Sequence, residues 1–194
     1  MTGRCVAFLR GINVGRAKRV AMSDLRKVVE DLGYRDVVTL LNSGNVVFTV
    51  PGGTRGDPAM RIERGIEERL GVSSKVTILT AEELAEAVRA NPLRQASENP
   101  SRFLVAVLRS ATDRHLLAAL AKQKWGKEAF AAGDRVGYMW CPVGILDSPL
   151  GVALGKALGD GVTTRNWNSM VKLLALAGAD APADRAPRAR AKGR

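Results

Sequence analysis

The chain has 194 residues, 46% of them apolar, and a formal charge of +11. That length supports one large domain or two small ones with a sizeable core, and no apolar run reaches the roughly 20 residues of a membrane-crossing helix. One histidine and two isolated cysteines cannot build a His/Cys zinc site, and no Ser-His-Asp or Cys-His arrangement is evident.

The positive charge is not confined to the C-terminal end. Gly178 to Arg194 carries +3, and the rest of the chain carries +8. Such an excess fits binding of phosphate or a polyanion. It is also what a solvated, Arg-rich surface looks like. Cys5 and Cys141 each sit in an apolar, strand-like run, which predicts buried thiols rather than a disulfide. Met1 to Arg4 has no signal-peptide character, so the expectation is a cytoplasmic protein.

In chain order, Arg4 to Arg10 predicts a strand that is apolar on both alternating faces. A glycine loop follows, from Gly11 to Arg19, and with Arg10 at its start it carries four cationic side chains. Ser23 is the expected cap of a helix with Met22, Leu25, Val28, Val29 and Leu32 on one stripe, ended by Gly33. Asp36 to Leu41 and Asn45 to Val50 predict a hairpin about Asn42-Ser43-Gly44. Asp57-Pro58 opens a helix carrying Ala59, Ile62, Ile66 and Leu70, and Gly71 stops it. Lys75 to Leu79 is a fourth strand. The Thr80–Glu83 capping box then starts a helix that Asn91-Pro92 ends.

The second half repeats this plan. Arg102 to Leu108 predicts a strand, and Thr112 or Asp113 caps a helix with Leu116, Leu117 and Leu120. Ala129-Phe130 and Arg135 to Cys141 predict a hairpin. Ser148-Pro149 starts a helix with Leu150, Leu154 and Leu158, closed by Gly159. Only a short extended piece, Val162-Thr163, stands where a last strand belongs. Thr164 is the expected cap of a final helix with Trp167, Val171 and Leu174.

The fold expected is therefore α+β: two ferredoxin-like (βαββαβ) plait lobes, the second without a full last strand, plus a C-terminal helix. Residues 1–90 form the first lobe with an extra helix, 91–101 a linker, 102–177 the second lobe and final helix, and 178–194 a disordered basic tail. A plait leaves one sheet face uncovered. That face is apolar here, with Val6, Phe8, Val46 and Phe48 its candidates, so a second layer should cover it: the other lobe or a second copy of the chain. A monomer and a homodimer both satisfy this.

Three segments carry a resemblance. They are Leu9-Arg10-Gly11-Ile12-Asn13-Val14-Gly15, Leu41-Asn42-Ser43-Gly44-Asn45-Val46-Val47-Phe48, and Thr163-Thr164-Arg165-Asn166-Trp167-Asn168 with Lys172-Leu173 after it. On these motifs the chain resembles the bacterial family called domain of unknown function 1697, from Arg4 to about Leu176. One departure is Ser169, where the family usually has Thr; the hydroxyl is kept. The resemblance implies a cytoplasmic α+β protein with two ferredoxin-like lobes and no established activity.

The same segments hold the candidate ligand-binding residues. In the first loop, Gly11 and Gly15 let the backbone turn and bring amides near a ligand, while Arg10, Arg16, Lys18 and Arg19 could neutralise phosphate and Asn13 adds a polar contact. The loop is neither a Walker A motif nor a dinucleotide fingerprint. Asn42, Ser43 and Asn45 read equally as an ordinary tight turn. Plait topology, however, makes the first and third strands antiparallel neighbours and so sets this turn beside Arg10, Gly11 and Asn13. At the third segment, Thr164, Arg165 and Asn168 would mark an anion site at a helix N-terminus, with Trp167 a core anchor.

His115 lies on an Arg/Leu-rich helix and no catalytic role is expected of it. Asp24 and Asp147 read as helix-terminus carboxylates, so no general base is evident. Neither metal nor cofactor is expected, nor a membrane partner. Two readings stay open. One is non-covalent binding of a phosphate-bearing small molecule or nucleic acid. The other is a small metal-independent enzyme acting on a phosphorylated or nucleotide substrate, with Arg10 and Arg165 stabilising developing charge.

Overall fold

Strand β1 (Gly3–Arg10) is buried along its middle on both faces, and the fold follows from that. The computed structural model describes residues 2–13, 19–93 and 99–178. It is a mixed α+β structure with two four-stranded antiparallel sheets and six α-helices among those residues. The first sheet contains β1, β2 (Arg35–Leu40), β3 (Asn45–Val50) and β4 (Lys75–Thr80), in the order β2-β3-β1-β4. The second contains β5 (Phe103–Leu108), β6 (Ala129–Ala132), β7 (Val136–Trp140) and β8 (Val162–Asn166), in the matching order β6-β7-β5-β8.

Each sheet has an outer helical layer. Helices α1 (Met22–Asp31) and α2 (Pro58–Leu70) cover Cys5, Ala7 and Leu9 of β1 and Val46 and Phe48 of β3. Helices α4 (Arg114–Ala121) and α5 (Pro149–Leu158) cover Ala106, Leu108, Met139 and Val162. Between the sheets lies a shared core. Val6, Phe8, Val47 and Leu79 from the first meet Phe103, Val105, Val107 and Tyr138 from the second. Helices α3 (Ala81–Arg89) and α6 (Trp167–Ala177) complete this layer. They link the halves: α6 packs on β1 and β3 as well as on β5 and β8, and the Tyr138 hydroxyl of β7 donates to the Ala87 carbonyl of α3 at 2.8 Å.

The second half of the chain is thus what covers the apolar inner face. Its composition differs from expectation at two positions. Val6 pairs directly with Val47, so Val47 shares its face, while Val46 and Phe48 oppose Ala7 and Cys5 and lie under the helices. Strict two-residue alternation makes this a matter of register alone.

Three end assignments change as well. The last strand of the second sheet is complete, because Val162–Asn166 pairs with β5 from Leu108 to Leu104. Thr164 lies within that strand, where its β-branch suits the pleat, and Asn166 caps α6 by accepting from the Ser169 amide at 2.9 Å. Ala21 precedes α1 without a side-chain cap, and Ser23 sits inside the first turn. By contrast Asp57, the Thr80–Glu83 box and Ser148 all cap their helices. Val171, expected on the buried stripe of α6, is 37% exposed. Of the 91–101 segment, residues 94–98 lie outside the described residues, as does the tail from 179 onward.

Cys5 and Cys141 are buried and form no disulfide, and burial pushes the Cys5 thiol up to about 11. No helix among the described residues is long and apolar enough to cross a membrane.

Because the halves share one core, urea unfolding followed by far-UV dichroism and by tryptophan fluorescence will give one coincident transition; two separated transitions would count against that core. Burial also pushes the Tyr138 hydroxyl from its ordinary 10.0 up to about 12. The folded state therefore keeps a proton that the unfolded chain releases from about pH 10, and stability falls between about pH 10 and 12. Tyr138→Phe should cost about 1 kcal/mol at neutral pH and flatten that alkaline slope, measured by denaturation at pH 8, 10 and 11.

Candidate functional site

The end of β1 runs antiparallel beside the start of β3, and the Leu9 amide donates to the Gly44 carbonyl at 2.8 Å. This contact brings the first glycine loop against the β2–β3 turn. Gly44 is fixed there by space and by backbone. Its φ is +73°, and a Cβ would sit 2.6 Å from Ile12 Cδ1 and 2.7 Å from Leu9 Cβ. The neighbouring Leu41 takes φ +58° and Asn13 φ +54°, two left-handed non-glycine residues at one sheet edge.

Beyond that edge lies β8. A cleft of about 420 Å³ opens between the three segments, lined by Leu9 to Asn13, by Asn42 and Ser43, and by Thr163 to Arg165. Tertiary structure therefore joins the third segment to the other two. Its Thr164 and Arg165 line the cleft, whereas Asn168 is exposed on the first turn of α6 and is not part of the lining. Trp167 packs edge-on against Phe103, with ring centroids 5.3 Å apart, in the shared core. Gly15, Arg16 and Lys18 lie outside the described residues; Arg19 is exposed just after them.

Arg165 is the centre of the site and is only 8% exposed. All five of its N–H groups are used. Nε donates to Asn45 Oδ1 at 2.5 Å, and Nη1 donates to Thr163 Oγ1 at 2.9 Å and to the Thr164 carbonyl at 2.8 Å. Nη2 reaches across to the Leu9 carbonyl at 2.6 Å and the Ser43 carbonyl at 3.1 Å. The guanidinium carbon also lies 5.6 Å from the Phe8 ring centroid. Every acceptor is neutral. No carboxylate pairs with Arg165 among the described residues. Burial accordingly lowers its guanidinium to about 10.

The asparagines serve this arrangement. Asn45 is fully buried; its Nδ2 donates to the Leu40 carbonyl at 3.0 Å and to Ser43 Oγ at 2.9 Å while its oxygen takes Arg165. Asn13 donates to the Asn42 carbonyl at 2.7 Å and to the Val20 carbonyl at 3.0 Å, and accepts from the Val20 amide at 2.9 Å. It pins both ends of the basic loop to the turn. Asn13 and Asn45 are thus builders of the wall, and the side chains of Asn42, Ser43 and Thr164 present its polar surface.

Arg10 stands at the mouth. Nε donates to Asp160 Oδ1 at 3.2 Å and Nη1 to the Val162 carbonyl at 2.9 Å, leaving Nη2 over among the described residues. Its side chain is 40% exposed, so it can meet a ligand. Asp160 is the residue sequence reasoning missed. It sits in a Gly159–Gly161 turn that reads only as a helix ending, and no local signal ties it to a residue 150 positions earlier. The remaining sequence candidates are accounted for elsewhere. His115 Nδ1 donates locally to the Thr112 carbonyl at 2.8 Å, and the side chain lies on an exposed part of its helix. The described residues hold no cluster of His, Cys, Asp or Glu able to ligate a metal.

Two substitutions test this construction. Arg165→Lys keeps the charge but cannot reach all of these acceptors, and should cost about 3 kcal/mol in urea denaturation. Gly44→Ala should cost about 2 kcal/mol or more through overpacking and backbone strain. Losses below about 0.5 kcal/mol in both would mean that the clasp does not hold the halves together.

A solved structure, of a conserved bacterial protein from Streptococcus pneumoniae, superposes with a TM-score of 0.68 over 91% of this chain and 99% of that one, at 19% sequence identity. At that identity the likeness is one of fold alone. Among curated proteins no sequence matches the chain. Residues 1–138 match the model of the family described as protein of unknown function, DUF1697, and the chain belongs to that family.

Proposed function

We propose that this cleft binds a phosphate-bearing ligand, a small phosphorylated molecule or a nucleic-acid phosphate, without covalent chemistry. One observation carries the reading. Arg165 is a buried cation whose partners are all neutral, set under a cleft with a second, half-exposed arginine at its mouth. A cation without a counter-charge in a low-dielectric setting projects a positive potential into the adjoining space. An anion entering the cleft supplies the missing charge. Asn42, Ser43 and Thr164 offer side-chain donors for its oxygens, and the cleft volume of about 420 Å³ is in the range of small-molecule sites.

The enzymatic reading has less support. Among the described residues no carboxylate or histidine lines the cleft, and Arg165 has no N–H left to follow a developing charge. We read each half as a ferredoxin-like plait, supported by the β-α-β-β-α-β succession and the β2-β3-β1-β4 strand order.

Isothermal titration with inorganic pyrophosphate tests the reading. The wild type should bind, with affinity falling as salt rises from about 50 to 200 mM. Arg10→Ala should weaken binding by about tenfold or more, with little change in melting temperature, because a half-exposed side chain contributes little to stability. Absence of heat with the wild type, or unchanged affinity in Arg10→Ala, would remove the cleft as a phosphate site.

A further inference from the structure

The molecule contains its own comparison for the cleft. The equivalent bond to Leu9 N–Gly44 O in the second half is Leu108 N–Arg135 O, at 2.9 Å. Arg109 is then the counterpart of Arg10. A second cleft of about 330 Å³ lies there, lined by residues including Arg109, Arg135, Asp57 and Asp113. In that cleft each arginine is neutralised from a helix of the first half. Arg109 pairs with Glu63 at 2.7 Å and Arg135 with Glu83 at 2.5 Å, and all four side chains are 30% exposed or less. That junction is electrically closed. The first cleft is not: among the described residues Arg165 has no carboxylate, and Arg10 has only Asp160, whose side chain is 73% exposed.

We infer that Asp160 is a built-in competing anion for the first cleft, occupying Arg10 until a ligand phosphate displaces it. The inference rests on the reading of that cleft as a phosphate site. Its geometry is that of a replaceable partner. Only Nε of Arg10 meets the carboxylate, at 3.2 Å, rather than two N–H groups in parallel. The pair is exposed enough that water screens it, so it is weak. Asp160 is carried on a three-residue turn between Gly159, at φ +50°, and Gly161. Glycine on both sides lets the backbone swing the carboxylate aside at small cost. The turn's far end stays anchored, since the Gly161 carbonyl accepts from the Arg109 amide at 2.8 Å. The Val162 carbonyl holds Arg10 Nη1 from the strand beyond, so Arg10 stays in place when Asp160 leaves. A phosphate brings more negative charge than the carboxylate and can take the freed Nε together with Nη2 in a bidentate contact.

The test titrates the full chain with inorganic pyrophosphate and follows it by calorimetry and by amide chemical shifts. Asp160→Asn should bind roughly two- to fivefold more tightly than wild type, the range an exposed ion pair supports. Glu68→Gln makes the same charge change on the far end of an i,i+4 pair in α2, outside the cleft lining, and should leave affinity unchanged. In the wild type, the Gly159 and Gly161 amides should shift on ligand addition along with those of Gly11 and Ser43. Equal affinity of wild type and Asp160→Asn, equal tightening by Glu68→Gln, or still Gly159 and Gly161 amides while Gly11 and Ser43 move would each overturn the displacement. No binding by either wild type or Asp160→Asn would instead overturn the underlying assignment of the cleft.

Discussion

Two sheets with apolar residues on both faces cannot each be satisfied by helices on one side. That constraint organises the molecule. β1 and β5 are the central strands, and each sends alternate side chains outward to its own helices and inward to the opposite sheet. The inner layer is closed by α3 and α6, which pack on each other, with α6 reaching strands of both sheets and α3 taking the Tyr138 hydroxyl of the second. Burial of this shared apolar surface, at roughly 25 cal/mol per Å², is the dominant favourable term, and it ties the halves into one cooperative body.

Where the sheets' edges meet, apolar packing gives way to hydrogen bonding by arginine. Arg165 of β8 lies at a core-facing position of the second sheet and crosses to the backbone of β1 and the β2–β3 turn. A guanidinium suits this role because its planar fork can serve several fixed carbonyls at once. The cost is the burial of a charge with neutral partners only. Structural clasp and anion-attracting floor are consequences of the same side chain. The two roles are separable by experiment, since loss of Arg165 acts on stability while loss of Arg10 acts on binding.

The contrast between the two junctions sharpens this point. Both halves place an arginine at the end of their first strand, but only Arg109 is met by a shielded carboxylate. Repetition of backbone architecture does not carry repetition of charge. The electrostatic difference comes from single residues: Glu63 and Glu83 on one side, and neutral acceptors with a solvent-exposed Asp160 on the other.

Much of this was legible from residues alone. Alternation set most of the strands, turn and capping residues set most helix ends, and the antiparallel neighbourhood of β1 and β3 placed Gly11 and Asn13 beside Asn42 and Ser43. These are local or nearest-neighbour matters, governed by side-chain period and backbone conformation. The cap of α6 was misplaced because Thr164 and Asn166 are both good caps, and only pairing with β5 carries the chain through Thr164 as strand. Which face Val46 and Phe48 occupy turned on a one-residue register that hydrophobicity cannot supply when both faces are apolar. The meeting of Arg165 with Leu9, and of Arg10 with Asp160, belongs to tertiary structure alone. Such contacts join residues about 150 positions apart through the packing of two sheets, and no local pattern encodes the distance between them.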